Sequence, residues 1–238
     1  MTYSERSSKE REYDYGFLGL LGALMVGGLL ILASASGPSG FQKFGDSYWF
    51  VKHQLISGLL PGLVGFLFFF LVPTDLWRRN WKLCYLICLV LLVLPFMPGI
   101  GNTWGTARSW IHIAGRSFQT SELAKLFGIL ALSSWLEAKG RVAIDSFQQG
   151  FLPFIAALLI PLGLLVVQPD VGGMVVFAAL AFSLYFVAGG RLSYIAALFV
   201  AGVSAIAMLI KAKPYRAERF MVFLHPELDP KGMGYHIN

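Results

Sequence analysis

Near its amino terminus the sequence reads Tyr15-Gly-Phe-Leu-Gly-Leu-Leu-Gly-Ala-Leu-Met-Val-Gly-Gly-Leu-Leu-Ile-Leu-Ala-Ser34, without one charged side chain. The hydrocarbon core of a bilayer is about 30 Å thick, and a helix that crosses it needs about 20 apolar residues. The stretch meets that length and is too long for the apolar part of a cleaved signal peptide. It predicts a membrane-spanning helix, because backbone groups in lipid must find hydrogen-bond partners within their own segment.

Charge-free stretches of similar length recur along the whole chain. Six of them are long enough to span a bilayer, and they cover residues 15–42, 54–74, 83–107, 146–169, 171–190 and 192–210. A seventh, over residues 121–136, is weaker because it carries Glu122 and Lys125. We therefore predict an all-α fold, a polytopic membrane bundle of about seven transmembrane helices.

The composition excludes several other classes of protein. Only 13% of the 238 residues are charged and 56% are hydrophobic, whereas a soluble domain carries about 25% charged residues. The net charge of +6 does not indicate a nucleic-acid partner, because the basic residues lie between apolar runs and form no stripe. Cys84 and Cys88 share one apolar run, which is typical of core residues and not of a metal site or a disulfide framework.

The distribution of Lys and Arg predicts which side of the membrane each connection faces. Once residues 211–238 are left out, these residues are more numerous in the segments that share a side with the amino terminus. The positive-inside rule then places the amino terminus in the cytoplasm. We predict a cytoplasmic tail over residues 1–14, a transmembrane bundle over 15–210 and an extracytoplasmic stretch over 211–238, with 139–149 as a polar connector.

A loop rich in Gly and Trp, from residue 99 onward, leads into a helix that begins near Ser121. Glu122 and Lys125 lie three residues apart, so they are neighbours on one helix face. A cation near a helix start is unfavourable, and at membrane depth it costs a few kcal/mol. A Glu122–Lys125 pair that faces a wet cavity would relieve both costs. A purely structural ion pair is the alternative.

Three further charged residues are unusual. Asp170 follows Gln168-Pro169 between two apolar runs, where it could cap the next helix or form the acidic rim of a polar cavity. Arg216 and Arg219 would share a face of a helix. That face suits an anionic partner such as a lipid pyrophosphate, or it could reach lipid headgroups by snorkelling.

Several short motifs, in order along the chain, resemble those of the SEDS family of peptidoglycan polymerases, which includes RodA and FtsW. The similarity extends from about Tyr15 to Asn238. The motifs are Ala107-Arg-Ser-Trp-Ile111, Phe118-Gln-Thr-Ser-Glu-Leu-Ala-Lys125, Gln168-Pro-Asp-Val-Gly172, Tyr215-Arg-Ala-Glu-Arg-Phe220 and Leu224-His-Pro-Glu-Leu-Asp-Pro-Lys-Gly-Met-Gly-Tyr235. Three positions depart from the family pattern: Ser109, Thr120 and His225 replace an arginine, a proline and an aspartate.

The resemblance implies a multi-pass peptidoglycan glycosyltransferase of the bacterial inner membrane. Such an enzyme polymerises lipid II at the outer face, in cell division or elongation, together with a class B penicillin-binding protein. Arginines or a divalent cation, Mg²⁺ or Mn²⁺, would neutralise the departing pyrophosphate. By motif match, the residues expected to line the central cavity are Arg108, Trp110, Glu122, Lys125 and Asp170. Arg216 and Arg219 would lie near the lipid headgroup, at the start of the family's large extracytoplasmic loop.

The resemblance assigns no catalytic residue. The family's His-Thr-Asp-Phe motif, whose aspartate is its proposed base, does not occur in these 238 residues, and members of the family have more spans than the seven predicted here. We therefore expect the N-terminal portion of such an enzyme. Two other interpretations stay open, a non-catalytic membrane scaffold that binds a class B penicillin-binding protein and a flippase of lipid-linked precursors.

Overall fold

The computed structural model describes residues 13–99, 101–104, 107–113, 116–211 and Val222. Helices account for most of the described residues, which confirms the predicted helical fold class. The chain divides into two compact units, Met1–Pro73 and Thr74–Asn238. The boundaries at residues 14 and 210 stay predictions.

The first unit is a pair of long helical segments. Helix α1 (Tyr15–Phe44) contains the charge-free stretch from Tyr15 to Ser34; it begins where Asp14 accepts a hydrogen bond from the Phe17 amide at 2.9 Å. It ends at Gly45, whose φ of 71° is the left-handed conformation that commonly terminates helices.

The second segment of this unit runs from Trp49 to Leu71. It comprises α2 (Trp49–Gln54), a π-helical turn (Leu55–Leu59) and α3 (Leu60–Leu71). The π-helical turn lies just before Pro61, whose ring nitrogen cannot donate to the helix ladder.

Helices of the second unit enclose the core. They are α4 (Thr74–Arg79), α5 (Trp81–Val93), α6 (Thr120–Asp145), α7 (Leu152–Val167), α8 (Val171–Val187) and α9 (Leu192–Lys211). Helix α6 packs against α4, α5 and α8. Its buried face carries the small residues Ala124, Gly128 and Ala131. Small side chains let neighbouring helices approach closely, which is how helices gain contact in lipid.

Three helical segments among the described residues are long and apolar enough to cross a membrane: Tyr15–Phe44, Trp49–Leu71 and Phe147–Val167. Three shorter apolar helices accompany them, Trp81–Phe96, Val171–Val187 and Leu192–Met208. The chain is therefore a multi-pass membrane protein, as predicted, while the count of seven spans stays a prediction.

A small antiparallel sheet replaces part of one predicted helix. The helix expected over residues 83–107 ends with a 3-10 turn at Phe96, and three strands follow in the order β1-β2-β3. They are β1 (Gly101–Trp104), β2 (Ala107–Ile113) and β3 (Arg116–Gln119). The prediction of a helix beyond residue 96 was wrong, as was that of a loop up to Ser121. Pro95 and Pro98 explain the early end, since neither can donate a backbone hydrogen bond.

Helix α6 is broken inside the predicted polar connector over residues 139–149, and helical conformation then resumes as far as Asp145. One residue inside it, Gly140, leaves the helical conformation with φ 73° and ψ 158°. Glycine adopts such a conformation without the steric cost that a Cβ atom imposes. A π-helical turn, Phe147–Phe151, then leads into α7.

The second unit has two distinct ends. At the sheet end, α5 and α7 finish and α6 and α8 begin. At the opposite end, which we call the basic end, Arg78 pairs with Glu137 at 2.7 Å and Arg191 with Asp145 at 2.8 Å. The hydrogen bond from Arg191 holds the pKa of the Asp145 carboxyl below its usual value. With the predicted topology, the sheet end faces outward and the basic end faces the cytoplasm.

The hydroxyl of Tyr85 donates to a carbonyl of α7 that a proline leaves without its usual helical donor. Pro161 lies inside this helix and cannot donate to the carbonyl of Ala157, four residues earlier. The hydroxyl of Tyr85 donates to that carbonyl instead, at 2.7 Å. This contact ties α5 to α7.

We expect Tyr85→Phe to lower the free energy of unfolding by about 1 kcal/mol, because it strands the Ala157 carbonyl in an apolar environment. Thermal unfolding of the purified protein in detergent measures the loss. Tyr15→Phe is the matched control, since Tyr15 is 76% exposed. In a Pro161→Ala background the helix supplies its own donor, and the cost of Tyr85→Phe should shrink. An equal cost in both backgrounds would contradict this explanation.

Candidate functional site

The sheet places the aromatic part of the site beside the start of α6. Strand β3 runs directly into the helix, so its last residue, Gln119, adjoins Thr120. Across the β2–β3 pair, Trp110 is the register partner of Gln119. Trp110 is half-buried and Thr120 is fully buried. Antiparallel pairing thus brings a predicted site residue next to the predicted Glu-Lys helix start.

The predicted ion pair is present in the first turns of α6. Lys125 Nζ lies 2.8 Å from Glu122 Oε1. The lysine side chain is only 13% exposed, whereas the glutamate side chain is 60% exposed. The arrangement pairs a largely buried lysine side chain with an accessible carboxylate. Pairing relieves the unfavourable position of a cation near a helix start.

Asp170 is held by donors from two helices and a strand. Its Oδ1 accepts the Gly173 amide at 2.8 Å, so the carboxylate caps α8 as one of the two alternatives predicted. Its Oδ2 accepts the Ser121 hydroxyl at 2.9 Å and lies 3.5 Å from the Gln119 amide nitrogen. Asp170 therefore links the start of α8 to the start of α6.

Gln168 belongs to one of the sequence motifs, but the sequence indicated no role for it. The side chain is fully buried, and its amide nitrogen donates to the Leu92 carbonyl near the end of α5. Its Oε1 has no hydrogen-bond partner among the described residues. The sequence did contain a signal for this role. Gln168 is an amide at the end of a long apolar run, and a buried amide needs a hydrogen-bond partner. Gln168 anchors the end of α7 and so positions the Asp170 cap.

The structure brings together four of the seven predicted site residues and leaves three undescribed. Glu122, Lys125 and Asp170 gather around the start of α6, with Trp110 beside it across the sheet. Ser121 and Gln119 join them, although neither was among the predicted site residues. The backbone of Arg108 lies in β2, but its side chain is outside the described part of the chain, as are Arg216 and Arg219.

The charged groups of this cluster have an arrangement that packing alone does not require. A largely buried cation is paired with an exposed carboxylate, one residue from a hydroxyl that is already engaged by Asp170. Charges removed from water interact more strongly with a ligand than charges in bulk solvent. Such a group suits an anionic ligand that displaces Glu122 or shares Lys125 with it.

The chain matches the profile of the FtsW/RodA/SpoVE cell cycle proteins over residues 16–238. A probable peptidoglycan glycosyltransferase FtsW from Trichlorobacter lovleyi is 37% identical over 95% of this chain and 59% of its own length. The stage V sporulation protein E of Bacillus subtilis is 36% identical over 90% of this chain and 58% of its own. The chain thus spans about three fifths of the length of these curated relatives.

Two solved structures share this fold. A chain of a peptidoglycan synthase complex, studied for how it coordinates polymerization and crosslinking, aligns with a TM-score of 0.68 and 28% identity. That alignment covers 96% of this chain and 64% of the other. The rod shape determining protein RodA of Thermus thermophilus aligns with a TM-score of 0.62 and 28% identity, over 84% of this chain and 60% of RodA.

Proposed function

This chain belongs to the FtsW/RodA/SpoVE family of cell cycle proteins, and from that premise we propose that it functions as a peptidoglycan glycosyltransferase that polymerises lipid II at the outer face of the bacterial inner membrane. The names of its relatives support the activity. The observation that carries the proposal is the Glu122–Lys125 pair at the sheet end, beside an Asp170 that Ser121 holds in place.

The reaction explains why a buried cation is useful at this position. A sugar hydroxyl of one lipid-linked disaccharide attacks the anomeric carbon of another, and a glycosidic bond forms as the bond to undecaprenyl pyrophosphate breaks. The hydroxyl proton passes to a carboxylate base, for which we name no residue. Pyrophosphate leaves with several negative charges, so catalysis depends on cations placed where that charge develops.

We assign the binding of the pyrophosphate to Lys125. Its side chain is largely buried, and a charge partly removed from water attracts a phosphate oxygen more strongly than one in bulk solvent. Arg108 and Trp110 would complete the cavity from the neighbouring strand, with Arg216 and Arg219 near the lipid headgroup.

Asp170 is better suited to positioning than to proton transfer. Both of its oxygens already accept hydrogen bonds, Oδ1 from the α8 amide and Oδ2 from Ser121. These two contacts fix the orientation of the Asp170 carboxylate between α6 and α8. We propose that Asp170 fixes the start of α6, and thereby Glu122 and Lys125.

The described residues do not form a preassembled site for a divalent cation. Within the part of the chain that the structure describes, no group of three His, Cys, Asp or Glu side chains lies close enough to hold a metal ion. A role for Mg²⁺ or Mn²⁺ in the reaction stays a prediction.

We propose a class B penicillin-binding protein as the partner. One structural neighbour is a chain of a complex described as coordinating polymerization with crosslinking. A polymerase of this kind delivers nascent glycan to a transpeptidase, so a partner that crosslinks peptides would act on its product. Membrane lipids are the other expected contact.

Polymerisation of labelled lipid II tests the proposal. The product of the complete coding region, purified with its penicillin-binding protein, should convert fluorescent lipid II into a ladder of glycan strands on a gel, and a muramidase should collapse that ladder. Lipid translocation in vesicles without any polymer would contradict the proposal in favour of a flippase. Stable binding of the partner with neither polymer nor translocation would contradict it in favour of a scaffold.

A further inference from the structure

A groove of about 350 Å³ opens at the basic end of the second unit, between α6 and α8. Its walls are mostly apolar and include Leu136, Ile144 and Leu184. The groove lies where α6 is broken at Gly140. The groove therefore borders the break in α6.

The surface beside the groove is apolar and uncovered. Val187, which lines the groove, is 81% exposed, and Val142, next to the break, is 91% exposed. Exposed apolar side chains at the end of a membrane-spanning bundle are favourable contacts for acyl chains. An apolar cleft at this position is therefore open to lipid.

The mouth of the groove carries a cation whose neighbouring carboxylates have other partners. Arg141 lines the groove and is exposed. Glu137 pairs with Arg78 at 2.7 Å. Both oxygens of Asp145 accept from Arg191, at 2.8 and 3.0 Å. Among the described residues no carboxylate lies within ion-pair distance of Arg141, although it contributes to the field at Asp145.

Packing holds the side chain of Arg141 against the end of α8. A Cβ atom on Gly189 would lie 3.0 Å from Arg141 Nε and 3.2 Å from its Cγ. Because Gly189 has no side chain, the arginine can lie along this backbone. The Arg141 side chain, as far as its Nε atom, thus lies along the end of α8 at the edge of the cleft.

We propose that this groove binds an anionic phospholipid, with one acyl chain in the cleft and the phosphate on Arg141. A guanidinium forms paired hydrogen bonds with phosphate oxygens, and the apolar walls match a hydrocarbon chain. Basic pockets between helices on the cytoplasmic side are a recognised arrangement for acidic lipid headgroups. The predicted topology places the basic end on that side. The proposal does not depend on the glycosyltransferase activity.

Native mass spectrometry of the purified full-length protein tests the proposal with two lipid probes, phosphatidylglycerol and phosphatidylcholine. The wild type should bind its first phosphatidylglycerol about tenfold more tightly than phosphatidylcholine, as a charge-assisted contact predicts. Arg141→Gln should abolish this preference, and Arg141→Lys should keep part of it. Arg79→Gln is the matched control, because Arg79 is another exposed cation of the basic end and should retain the full preference.

A second variant tests the cleft itself. Ala188→Phe places a ring in the groove and should displace phosphatidylglycerol with Arg141 still present. Wild-type lipid affinity in either Arg141→Gln or Ala188→Phe would overturn the proposal. The proposal would also be overturned if Ala188→Phe converted a dimer into a monomer without changing lipid binding. The groove would then be occupied by a second copy of the chain. If Ala188→Phe does not fold, the comparison of Arg141→Gln with Arg79→Gln decides.

Discussion

The Lys125→Met variant of the full-length protein should polymerise lipid II about a hundredfold more slowly than the wild type. Methionine keeps the length and packing of the largely buried side chain but removes the positive charge. Loss of one group that stabilises developing negative charge lowers the rate by about 100- to 1,000-fold. The loss should appear mainly in kcat, because the leaving pyrophosphate gains charge in the transition state. Gel quantification of glycan strands at several lipid II concentrations measures it.

Two further variants separate catalysis from structure. Lys82→Met removes an exposed cation at the basic end and should leave polymerisation unchanged. Glu122→Gln combined with Lys125→Met removes both partners of the ion pair. If the pair were only structural, this double variant would regain activity and Lys125→Met would melt at a lower temperature. Regained activity in the double variant would remove Lys125 from the proposed site.

The second large effect is expected at Gly128, where α6 approaches α8. A Cβ atom at this position would lie 2.6 Å from Phe177 Cε2 and 3.3 Å from Cys88 Sγ. Phe177 is only 3% exposed, so its ring has no free space to move into. We expect Gly128→Ala to lower the free energy of unfolding by about 1–3 kcal/mol, because it adds a methyl group to a core that is already well packed. Thermal unfolding in detergent measures the change.

Gly163→Ala is the matched control for this variant. Gly163 lies inside α7, and a Cβ atom there would meet no neighbouring group within 4 Å, so alanine should be neutral or stabilising by up to about 1 kcal/mol. Adding Phe177→Leu to Gly128→Ala should recover part of the loss by making room for the methyl group. An unchanged melting temperature for Gly128→Ala alone would show that the helices can separate without cost.

The helices and the ion pair were predictable because both depend on local sequence. A charge-free stretch such as residues 15–34 predicts a helix wherever it occurs, since lipid leaves its backbone no other partners. Residues three apart on a helix are neighbours, so Glu122 and Lys125 could be paired in advance.

The sheet could not be predicted from charge alone, because its strands are short and the first of them lies at the end of a charge-free run. Trp110 to Ile113 alternates aromatic, β-branched and polar side chains, a pattern that is typical of a strand. Residues 83–107 contain no charge, and the absence of charge therefore predicted too long a helix. Pro95 and Pro98 were the better guide to its end. In α6 the polar composition over residues 139–149 did mark the break at Gly140, but not the helical residues that follow it up to Asp145.

Sequence alone determined that this chain is a helical membrane protein with a Glu-Lys pair at one helix start, because helix formation in lipid and pairing at a spacing of three are local effects. Tertiary structure decided what surrounds that pair. Ser121 and Asp170 are 49 residues apart, and Gln168 and Leu92 are 76 apart. Such contacts depend on how α5, α6, α7 and α8 pack against one another. Helix packing depends on side chains from several segments at once, so no single segment of the sequence predicts it.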